Sequence, residues 1–273
     1  MRIVGELINS SRPAVKRAIQ ERDGEYIQSL ALLQKQAGAH WLDVNCGTFV
    51  TEEEEVMLWL LNQVQATCDL PLCIDTPDAK VLTAALKLID KPGQLINSIS
   101  FEKKRLDGFL PLIREYRPAV VALCLEDQGI PKTAADRLRI ATALVETLQK
   151  ENYDLAEIYL DPLITPLSTS NTAGQAVLDT IAEIRAAYPD VHCICGLSNI
   201  SFGLPQRKTL NATFMVQTMV RGMDAYILDP TDRELMGLYY ASKALLGQDK
   251  YCGDFLRAYR TGLFNPAGAP KEG

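Results

Sequence analysis

Residues 41–75, WLDVNCGTFVTEEEEVMLWLLNQVQATCDLPLCID, contain a strand, a helix and a second strand in that order. The short apolar runs Trp41–Asn45 and Leu72–Asp75 predict strands, and each run ends in a polar side chain. Between them, Thr51 is expected to cap a helix whose first turn, Glu52–Glu55, places four carboxylates at the positive end of the helix dipole. The apolar face of this helix is formed by Val56, Leu60, Leu61 and Val64. A helix that joins two consecutive strands is typical of a parallel sheet.

The same alternation of strand and helix recurs along the whole chain. Six further apolar runs predict strands, namely Ile3–Ile8, Leu95–Ile99, Val120–Leu125, Glu157–Asp161, His192–Gly196 and Ala225–Leu228. Helical periodicity follows the strands, as at Lys132–Lys150, and we expect Asp232–Leu246 to be the last helix. Eight strands, each followed by a helix, predict a (β/α)8 barrel, a fold that typically needs about 250 residues.

The sequence predicts one domain. There is no linker and no change of composition within residues 1–264, so we expect them to form a single barrel. The remaining residues, 265–273 (NPAGAPKEG), have the composition of a flexible C-terminal tail.

Composition and charge exclude several classes of protein. The 273 residues are 47% hydrophobic and 23% charged, as in ordinary globular proteins. A formal net charge of -6 argues against a nucleic-acid partner, which usually requires a basic surface. The start has no signal-peptide pattern, and no apolar run approaches the roughly 20 residues that span a bilayer. The seven cysteines are odd in number and mostly lie in apolar runs, so we expect reduced thiols in a cytoplasmic protein without a membrane partner.

Polar residues at the ends of the predicted strands are the candidate site residues. In a (β/α)8 barrel the carboxyl ends of the strands and the loops after them form the catalytic face. Nearly every strand contributes one or two such side chains: Glu6, Asn9, Asp43, Asn45, Asp75, Asn97, Ser98, Glu126, Asp127, Asp161, Ser198, Asn199 and Asp229. A single residue of this kind is often only a helix cap or a turn former. A ring of them predicts a binding site.

Spacing gives some of these residues more specific interpretations. Asp43 and Asn45 are two residues apart, so in a strand both side chains lie on the same face, although Asn45 is equally suited to a turn before Gly47. Asp78 is the expected helix cap, which leaves Asp75 free to meet a ligand. Asn97 lies inside an apolar strand. An unpaired buried amide costs about 1–3 kcal/mol, so we expect Asn97 to have a definite hydrogen-bond partner.

The chain lacks the signatures of several common chemistries. Both histidines, His40 and His192, begin predicted strands or directly precede them and therefore belong to the non-catalytic end of the barrel. Strand alternation separates His192 from the thiols of Cys193 and Cys195, and no zinc-binding spacing, phosphate loop or serine-hydrolase motif is present. No strand ends in a convincing Schiff-base lysine, which disfavours a sugar or aldol barrel. The remaining carboxylates and amides suit a polar heterocycle, with no metal ion of the protein's own.

Six short motifs carry a family resemblance. They are GELIN at 5–9, LDVNCG at 42–47, IDT at 74–76, INS at 96–98, LDP at 160–162 and GLSNISFGLP at 196–205. The last motif is the most specific, and all six occur at strand ends in order along the chain. On these motifs the sequence resembles the pterin-binding methyltransferases related to dihydropteroate synthase, specifically the methyltetrahydrofolate:corrinoid (iron-sulfur) protein methyltransferases. The resemblance extends to about Phe264.

The resemblance implies a (β/α)8 barrel that binds the pterin of methyltetrahydrofolate or tetrahydrofolate at its mouth. It implies that Asn199 is the catalytic residue, which hydrogen-bonds near N5, and that Glu6 and Asn9 belong to the rim unless they are structural caps. The implied pterin-binding residues are Asp43, Asn45, Asp75, Asn97, Asp161, Gly196, Ser198 and Asn199. Cobalt(I) of a corrinoid (cobalamin) on a separate partner protein would attack the methyl group in line, and the family implies a homodimer.

Three alternatives remain beside this interpretation. Dihydropteroate synthase shares the pterin pocket but needs basic residues after its late strands. In this chain the seventh strand is followed by Ser198 and Asn199, and the eighth by residues 229–233. We expect the nearby Arg207 and Arg233 to be surface or helix-start residues. The folate module of methionine synthase is more similar, but this chain has no homocysteine or cobalamin domain. A noncatalytic pterin-binding barrel also fits the pocket residues. The direction of methyl transfer, to or from tetrahydrofolate, is open.

Overall fold

Eight parallel strands close into a barrel in sequence order in the computed structural model, which describes residues 1–89 and 91–265. The strands are β1 (Arg2–Asn9), β2 (Trp41–Asn45), β3 (Leu72–Asp75), β4 (Leu95–Phe101), β5 (Ala119–Glu126), β6 (Ile158–Asp161), β7 (His192–Gly196) and β8 (Ala225–Leu228). The predicted (β/α)8 barrel is confirmed. Of the predicted tail, residues 265–273, those from 266 onward lie outside the described residues.

Helices follow every strand and form the outer layer. They are α1 (Pro13–Glu21), α2 (Gly24–Gln36), α3 (Glu53–Thr67), α4 (Ala79–Leu88), α5 (Lys103–Tyr116), α6 (Ala134–Lys150), α7 (Ala173–Ala187), α8 (Arg207–Arg221), α9 (Arg233–Leu245) and α10 (Gly253–Arg260). Among the helices described, none is long and apolar enough to cross a bilayer.

Two sequence-based expectations about helices are wrong. Thr51 does not cap α3, because residues 46–52 form successive turns that delay the helix until Glu53, and Glu52 takes the capping position without a side-chain bond. The helix that ends at Leu245 is not the last one, since α10 follows it. The connection contains three residues with positive φ, Gly247, Tyr251 and Cys252, which separate α10 from α9. Helix α10 has only 8 residues, too few to show a clear helical period in a window of about 11–18 residues. The expected cap at Asp78 is confirmed, with its side chain accepting from the Lys80 N–H at 2.7 Å.

Side chains fill the barrel below its mouth. The interior cluster consists of Val4, Trp41, Cys73, Leu95, Ala119, Val121, Tyr159, Ile194 and Ala225. At the lower end the Tyr159 ring contacts the edge of Trp41 and stacks on His192, and the His192 ring bonds to Asp224 at 2.7 Å. Cys193 and Cys195 face the outer core instead, as alternation predicted. The lower end is therefore closed, and a ligand can reach the interior only from the carboxyl ends of the strands.

Candidate active site

The strand register brings three polar side chains to one level of the barrel. Asn45 on β2 pairs with Asp75 on β3, and Asp75 pairs with Asn97 on β4. The Nδ2 group of Asn45 donates to Asp75 Oδ2 at 2.7 Å, while its Oδ1 accepts from the Gly47 N–H at 3.1 Å. Asn45 therefore forms the predicted turn before Gly47 and also hydrogen-bonds to Asp75. The turn interpretation of Asn45 and the cavity-facing interpretation are thus compatible.

Asp43 lies one step deeper on the same face of β2 and is buried. Its carboxyl group faces the Cys73 thiol and the Asn97 amide. Burial, reinforced by the charge of Asp75, raises the pKa of Asp43 well above its ordinary value. Oδ1 of Asp43 is buried without a hydrogen-bond partner in the described part of the chain. A buried carboxyl oxygen without a partner is equipped to bond to a molecule seated above it.

A second buried carboxyl group, Asp161, ends β6 on another side of the barrel. Burial raises its pKa to about 7, although the Leu163 N–H donates to Oδ1 at 2.7 Å and opposes that shift. Asp161 therefore ionises near neutral pH and has no cationic partner among the residues described. A ligand with N–H groups would supply the donors that the second oxygen needs.

The segment after β7 carries Asn199 to the mouth. Gly196 ends the strand, and a Cβ at this position would lie 3.2 Å from Asn199 Nδ2, so glycine leaves the space that Asn199 uses. A short 3-10 turn, Leu197–Ser201, follows, and Asn199 is exposed on it. Arg207 begins α8 as expected, but it also fixes this turn: its Nη2 donates to the Ser198 carbonyl at 2.8 Å and its Nε to Ser201 Oγ at 3.0 Å.

Glu6 and Asn9 lie at the rim, beside a cavity of about 490 Å³ that Ser198, Arg207 and Asp229 also line. Glu6 pairs with Arg12 at 3.2 Å, and burial raises the pKa of Glu6 despite that positive charge. Oδ1 of Asn9 accepts from the Ser11 N–H at 2.9 Å. Asn9 therefore forms a turn as well as lining the rim.

Other predicted strand-end residues serve the loops. Glu126 pairs with Arg139, and Asp127 accepts from the Lys103 N–H at 3.2 Å. Asp229 accepts from the N–H and hydroxyl groups of Thr231 at 2.8 and 2.6 Å. Glu126 therefore pairs with α6, Asp127 bonds to the start of α5 and Asp229 stabilises a turn. The sequence alone could not distinguish these structural roles from ligand binding.

Arg105 on α5 is a site residue that sequence reasoning missed. Its Nη1 donates to the Ser98 carbonyl at 3.1 Å and approaches the Thr76 carbonyl at 3.5 Å, so one guanidinium connects β4 with the segment after β3. Burial raises the pKa of Asp75 to about 6, and the charge of Arg105 limits that rise. A single arginine within a helix gives no sequence signal that distinguishes it from a surface residue.

We expect the Arg105→Met variant to raise the pKa of Asp75 further, by about one unit, because a nearby positive charge is lost. Titration of selectively ¹³C-labelled aspartate by NMR measures this shift directly. The Arg105→Lys variant is the matched control, since it keeps the charge and removes the fork that bridges two carbonyls. An unchanged Asp75 titration in the methionine variant would show that the Arg105 charge does not act on Asp75.

The mouth thus combines ionisable carboxyl groups with amides above a closed apolar interior. No cluster of His, Cys, Asp and Glu suited to a metal ion occurs within residues 1–89 and 91–265. Fold and site together define a (β/α)8 barrel of the class that binds a polar heterocycle at the carboxyl ends of its strands.

The chain belongs to the pterin binding enzyme family, whose model matches residues 5–229. It is 41% identical over 271 residues to the methylcorrinoid:tetrahydrofolate methyltransferase of Eubacterium limosum, covering 98% of this chain and 100% of that protein. It is also 29% identical to the methionine synthase of Mycobacterium tuberculosis over 83% of this chain, which corresponds to 20% of that protein. The predicted family and enzyme class, a pterin-binding methyltransferase, are confirmed.

Solved structures agree on the fold. A dihydropteroate synthase from Xanthomonas albilineans with 4-aminobenzoic acid superposes with a TM-score of 0.65 at 18% identity, covering 90% of this chain and 91% of that chain. The dihydropteroate synthase of Yersinia pestis gives a TM-score of 0.66 at 16% identity, covering 90% and 93%. At this level of identity the likeness concerns the barrel alone.

Proposed function

We propose that this protein transfers a methyl group between the cobalt of a corrinoid and N5 of tetrahydrofolate. The observation that carries the proposal is a set of polar strand-end residues, Asp43, Asn45, Asp75, Asn97 and Asp161, which we call the cup. The strand register places Asn45, Asp75 and Asn97 at one level, the Asp43 carboxyl group faces the Asn97 amide, and Asp161 ends β6 at the same end of the barrel. The name of the Eubacterium limosum relative supports methylcorrinoid as the donor and tetrahydrofolate as the acceptor. In that direction the cobalt–carbon bond breaks, its electron pair stays on cobalt, and the lone pair of N5 forms the new bond to carbon. The proton that N5 carried is then released to water.

In this proposal Asp75, Asn97 and Asp161 hold the pyrimidine side of the pterin. Ionised carboxylates accept from ring N–H and amino groups, and the amide meets a carbonyl or ring nitrogen. Asp43 contacts the pterin from below, and its partnerless Oδ1 supports this role. Further lining residues are Asn45, Gly196 and Ser198.

Asn199 is the proposed catalytic residue. N5 carries positive charge in the transition state of both directions, because the lone pair of N5–H attacks the methyl group before that proton is lost. In reverse, methyltetrahydrofolate loses its methyl group only after N5 has taken up a proton from water. The side-chain oxygen of Asn199, placed at N5, would stabilise that charge without a proton transfer from the protein. Its exposure at the mouth supports this role, since the methyl group must face a reactant arriving from solvent.

We propose that residues 1–264 act as one barrel domain and that a separate protein carries the corrinoid. We also propose that the enzyme is a homodimer and that it works in the cytoplasm. Six of its seven cysteines are buried and all seven are free thiols, which supports a reducing compartment. No metal ion of the protein's own takes part in this mechanism.

Three exposed apolar side chains around the mouth are the proposed contact with the corrinoid protein. Val50, Ile130 and Phe202 are 80%, 56% and 65% exposed, and they lie in the loops after β2, β5 and β7. We expect Ile130→Glu with Phe202→Glu to raise KM for the corrinoid protein about tenfold or more, because acidic groups replace apolar contacts. Turnover with free methylcobalamin should stay within about twofold.

Steady-state kinetics with protein-bound and free corrinoid measure this difference. Val220→Glu is the matched control, because Val220 is also 65% exposed but lies on α8. Equal losses with both forms of corrinoid would contradict the proposed contact.

The function itself is tested by anaerobic incubation of the purified protein with methylcobalamin and tetrahydrofolate, and in reverse with reduced cobalamin and methyltetrahydrofolate. Cobalt absorbance reports the loss or gain of the methyl group. Turnover that requires the protein supports the proposal. Folate binding without turnover, even with a corrinoid protein present, would favour a noncatalytic pterin-binding barrel, and absence of folate binding would overturn the pterin assignment.

A further inference from the structure

Two rim residues of β1, Glu6 and Asn9, line the same cavity although they are three positions apart in one strand. In a regular strand, side chains separated by an odd number of residues lie on opposite faces of the sheet. Val4 belongs to the interior cluster, so alternation turns Glu6 inward as well. Asn9 pairs with Asn45, which faces the mouth, and therefore also points inward. The strand must contain an irregularity between Glu6 and Asn9.

The irregularity is a bulge in which Glu6 and Leu7 together lie opposite one residue of β2, Asp43, and we call it the β1 bulge. On its two sides the register pairs Gly5 with Leu42 and Ile8 with Val44. One extra residue reverses the face on which every later side chain lies. Ile8 accordingly packs in the outer core. Without the β1 bulge, Ile8 would enter the mouth and Asn9 would leave it.

The Gln34 side chain on α2 holds the β1 bulge from the helix layer. A bulge interrupts the strand ladder, so a backbone group within it needs a partner from elsewhere. The Leu7 N–H donates to Gln34 Oε1 at 2.9 Å, and both groups are buried. The Nε2 group of Gln34 is buried without a hydrogen-bond partner in the described part of the chain. The oxygen that meets Leu7 is therefore the part of this buried amide that the fold uses.

Gly5, the residue before the β1 bulge, leaves room for this hydrogen bond. A Cβ on Gly5 would lie 2.9 Å from Gln34 Cδ and closer still to Oε1, so a larger residue would displace the Gln34 side chain. The glycine, the bulge and the buried amide thus form one structural unit. Its effect at the mouth is the shared orientation of Glu6 and Asn9.

We infer that Gln34 is a positioning residue, whose bond to the Leu7 N–H maintains the β1 bulge and so turns Glu6 and Asn9 to the mouth together. Gln34 is completely buried and acts only through the strand. The inference rests on the proposed function, because it assigns the rim to folate binding. Asn199 is held by a different element, the turn after β7, so loss of the β1 bulge should affect folate binding more than the methyl-transfer step.

Hydrogen exchange at the Leu7 amide, measured by NMR, tests the structural part without any substrate. Gln34→Met has a side chain of similar length without a carbonyl acceptor, so exchange should be at least about tenfold faster. In Gln34→Glu one carboxyl oxygen can still accept, and burial favours the neutral form, so exchange should stay close to that of the wild type. Unchanged exchange in Gln34→Met would overturn the inference.

Equilibrium titration with tetrahydrofolate measures the consequence for the site. Gln34→Met should raise the dissociation constant about tenfold or more, while kcat with free methylcobalamin at saturating folate stays within about threefold. Gln34→Glu should restore the affinity. Gly5→Ala displaces the same side chain by an independent route and should reproduce the loss, which also provides the test if Gln34→Met does not fold.

Gln94→Met is the matched control. Gln94 is also a buried glutamine whose Oε1 accepts from a strand N–H, that of Leu72 at 2.7 Å, but it lies at the lower end of the barrel. Both methionine variants should melt at lower temperature, yet only Gln34→Met should lose folate affinity. Wild-type affinity in a folded Gln34→Met variant would refute the positioning role alone. A wild type that binds no folate would refute the proposed function and this role with it.

Discussion

The Asn199→Ala variant is expected to lose about 10²- to 10³-fold in kcat, because one preorganised hydrogen bond to developing charge is removed. Its dissociation constant for methyltetrahydrofolate should stay within about threefold of the wild type, since the amide acts on N5 only when that atom carries positive charge. Single-turnover methyl transfer followed by cobalt absorbance gives the rate, and equilibrium titration of the folate gives the affinity.

Asn62→Ala on the exposed side of α3 is the matched control, and neither quantity should change in it. Equal losses of rate and affinity in Asn199→Ala would mean that Asn199 only binds the folate. An unchanged rate would remove it from the proposed mechanism.

The second large effect concerns Asp161. Replacement by asparagine should weaken folate binding about 10- to 100-fold, because a charged acceptor for ring N–H groups becomes a neutral amide that also presents donors. The same variant should be more stable than the wild type without ligand at pH 8. Burial raises the pKa of Asp161 to about 7, so at pH 8 the folded protein holds an ionised carboxylate in a place that disfavours charge.

The direction of this change in stability follows from the linkage between proton binding and folding. A carboxyl group whose pKa is higher in the folded state binds its proton more tightly there, so the wild type loses stability as pH rises from the unfolded value of 3.8 to about 7. The melting temperature of Asp161→Asn should therefore exceed that of the wild type by an amount that grows from pH 5 to pH 7 and then stays constant. A difference of a few degrees is expected at pH 8.

Thermal melting between pH 5 and pH 8, with and without methyltetrahydrofolate, measures both parts of this prediction. Asp190→Asn, which changes an exposed carboxylate, is the control and should alter neither. Because the folate meets the ionised group, wild-type affinity should rise as Asp161 ionises, and the asparagine variant should lack that component. A pH-independent difference in melting temperature would contradict the raised pKa.

The sequence predicts the barrel and much of its mouth for a simple reason. Strands in a (β/α)8 barrel are short apolar runs, and alternation decides which side chains point inward. Spacing alone therefore places Asp43 and Asn45 on one face of a strand. It also places Asp75 at a strand exit, just before Asp78, the N-cap of α4. The register that brings Asn45, Asp75 and Asn97 to one level is then a consequence of neighbouring parallel strands.

Features formed by contacts distant in sequence could not be predicted. Arg105 reaches Thr76 across 29 residues, and no local pattern distinguishes it from other arginines on α5. Arg207 was correctly expected at a helix start, yet its bonds to the turn of Ser198 depend on the path of the chain after β7. Helix α10 was missed because its 8 residues are too few for a clear helical period, and because Tyr251 and Cys252, with positive φ, separate it from α9.

The packed interior around Trp41 and Tyr159 has a consequence for kinetics. A barrel that is closed at its lower end has a single entrance, and both reactants of the proposed reaction must use it. In the proposed reaction the folate would occupy the cup and the corrinoid protein would then cover it, so the folate would enter first and leave last. Product inhibition should accordingly follow a compulsory-order pattern, with tetrahydrofolate and methyltetrahydrofolate competing for the free enzyme.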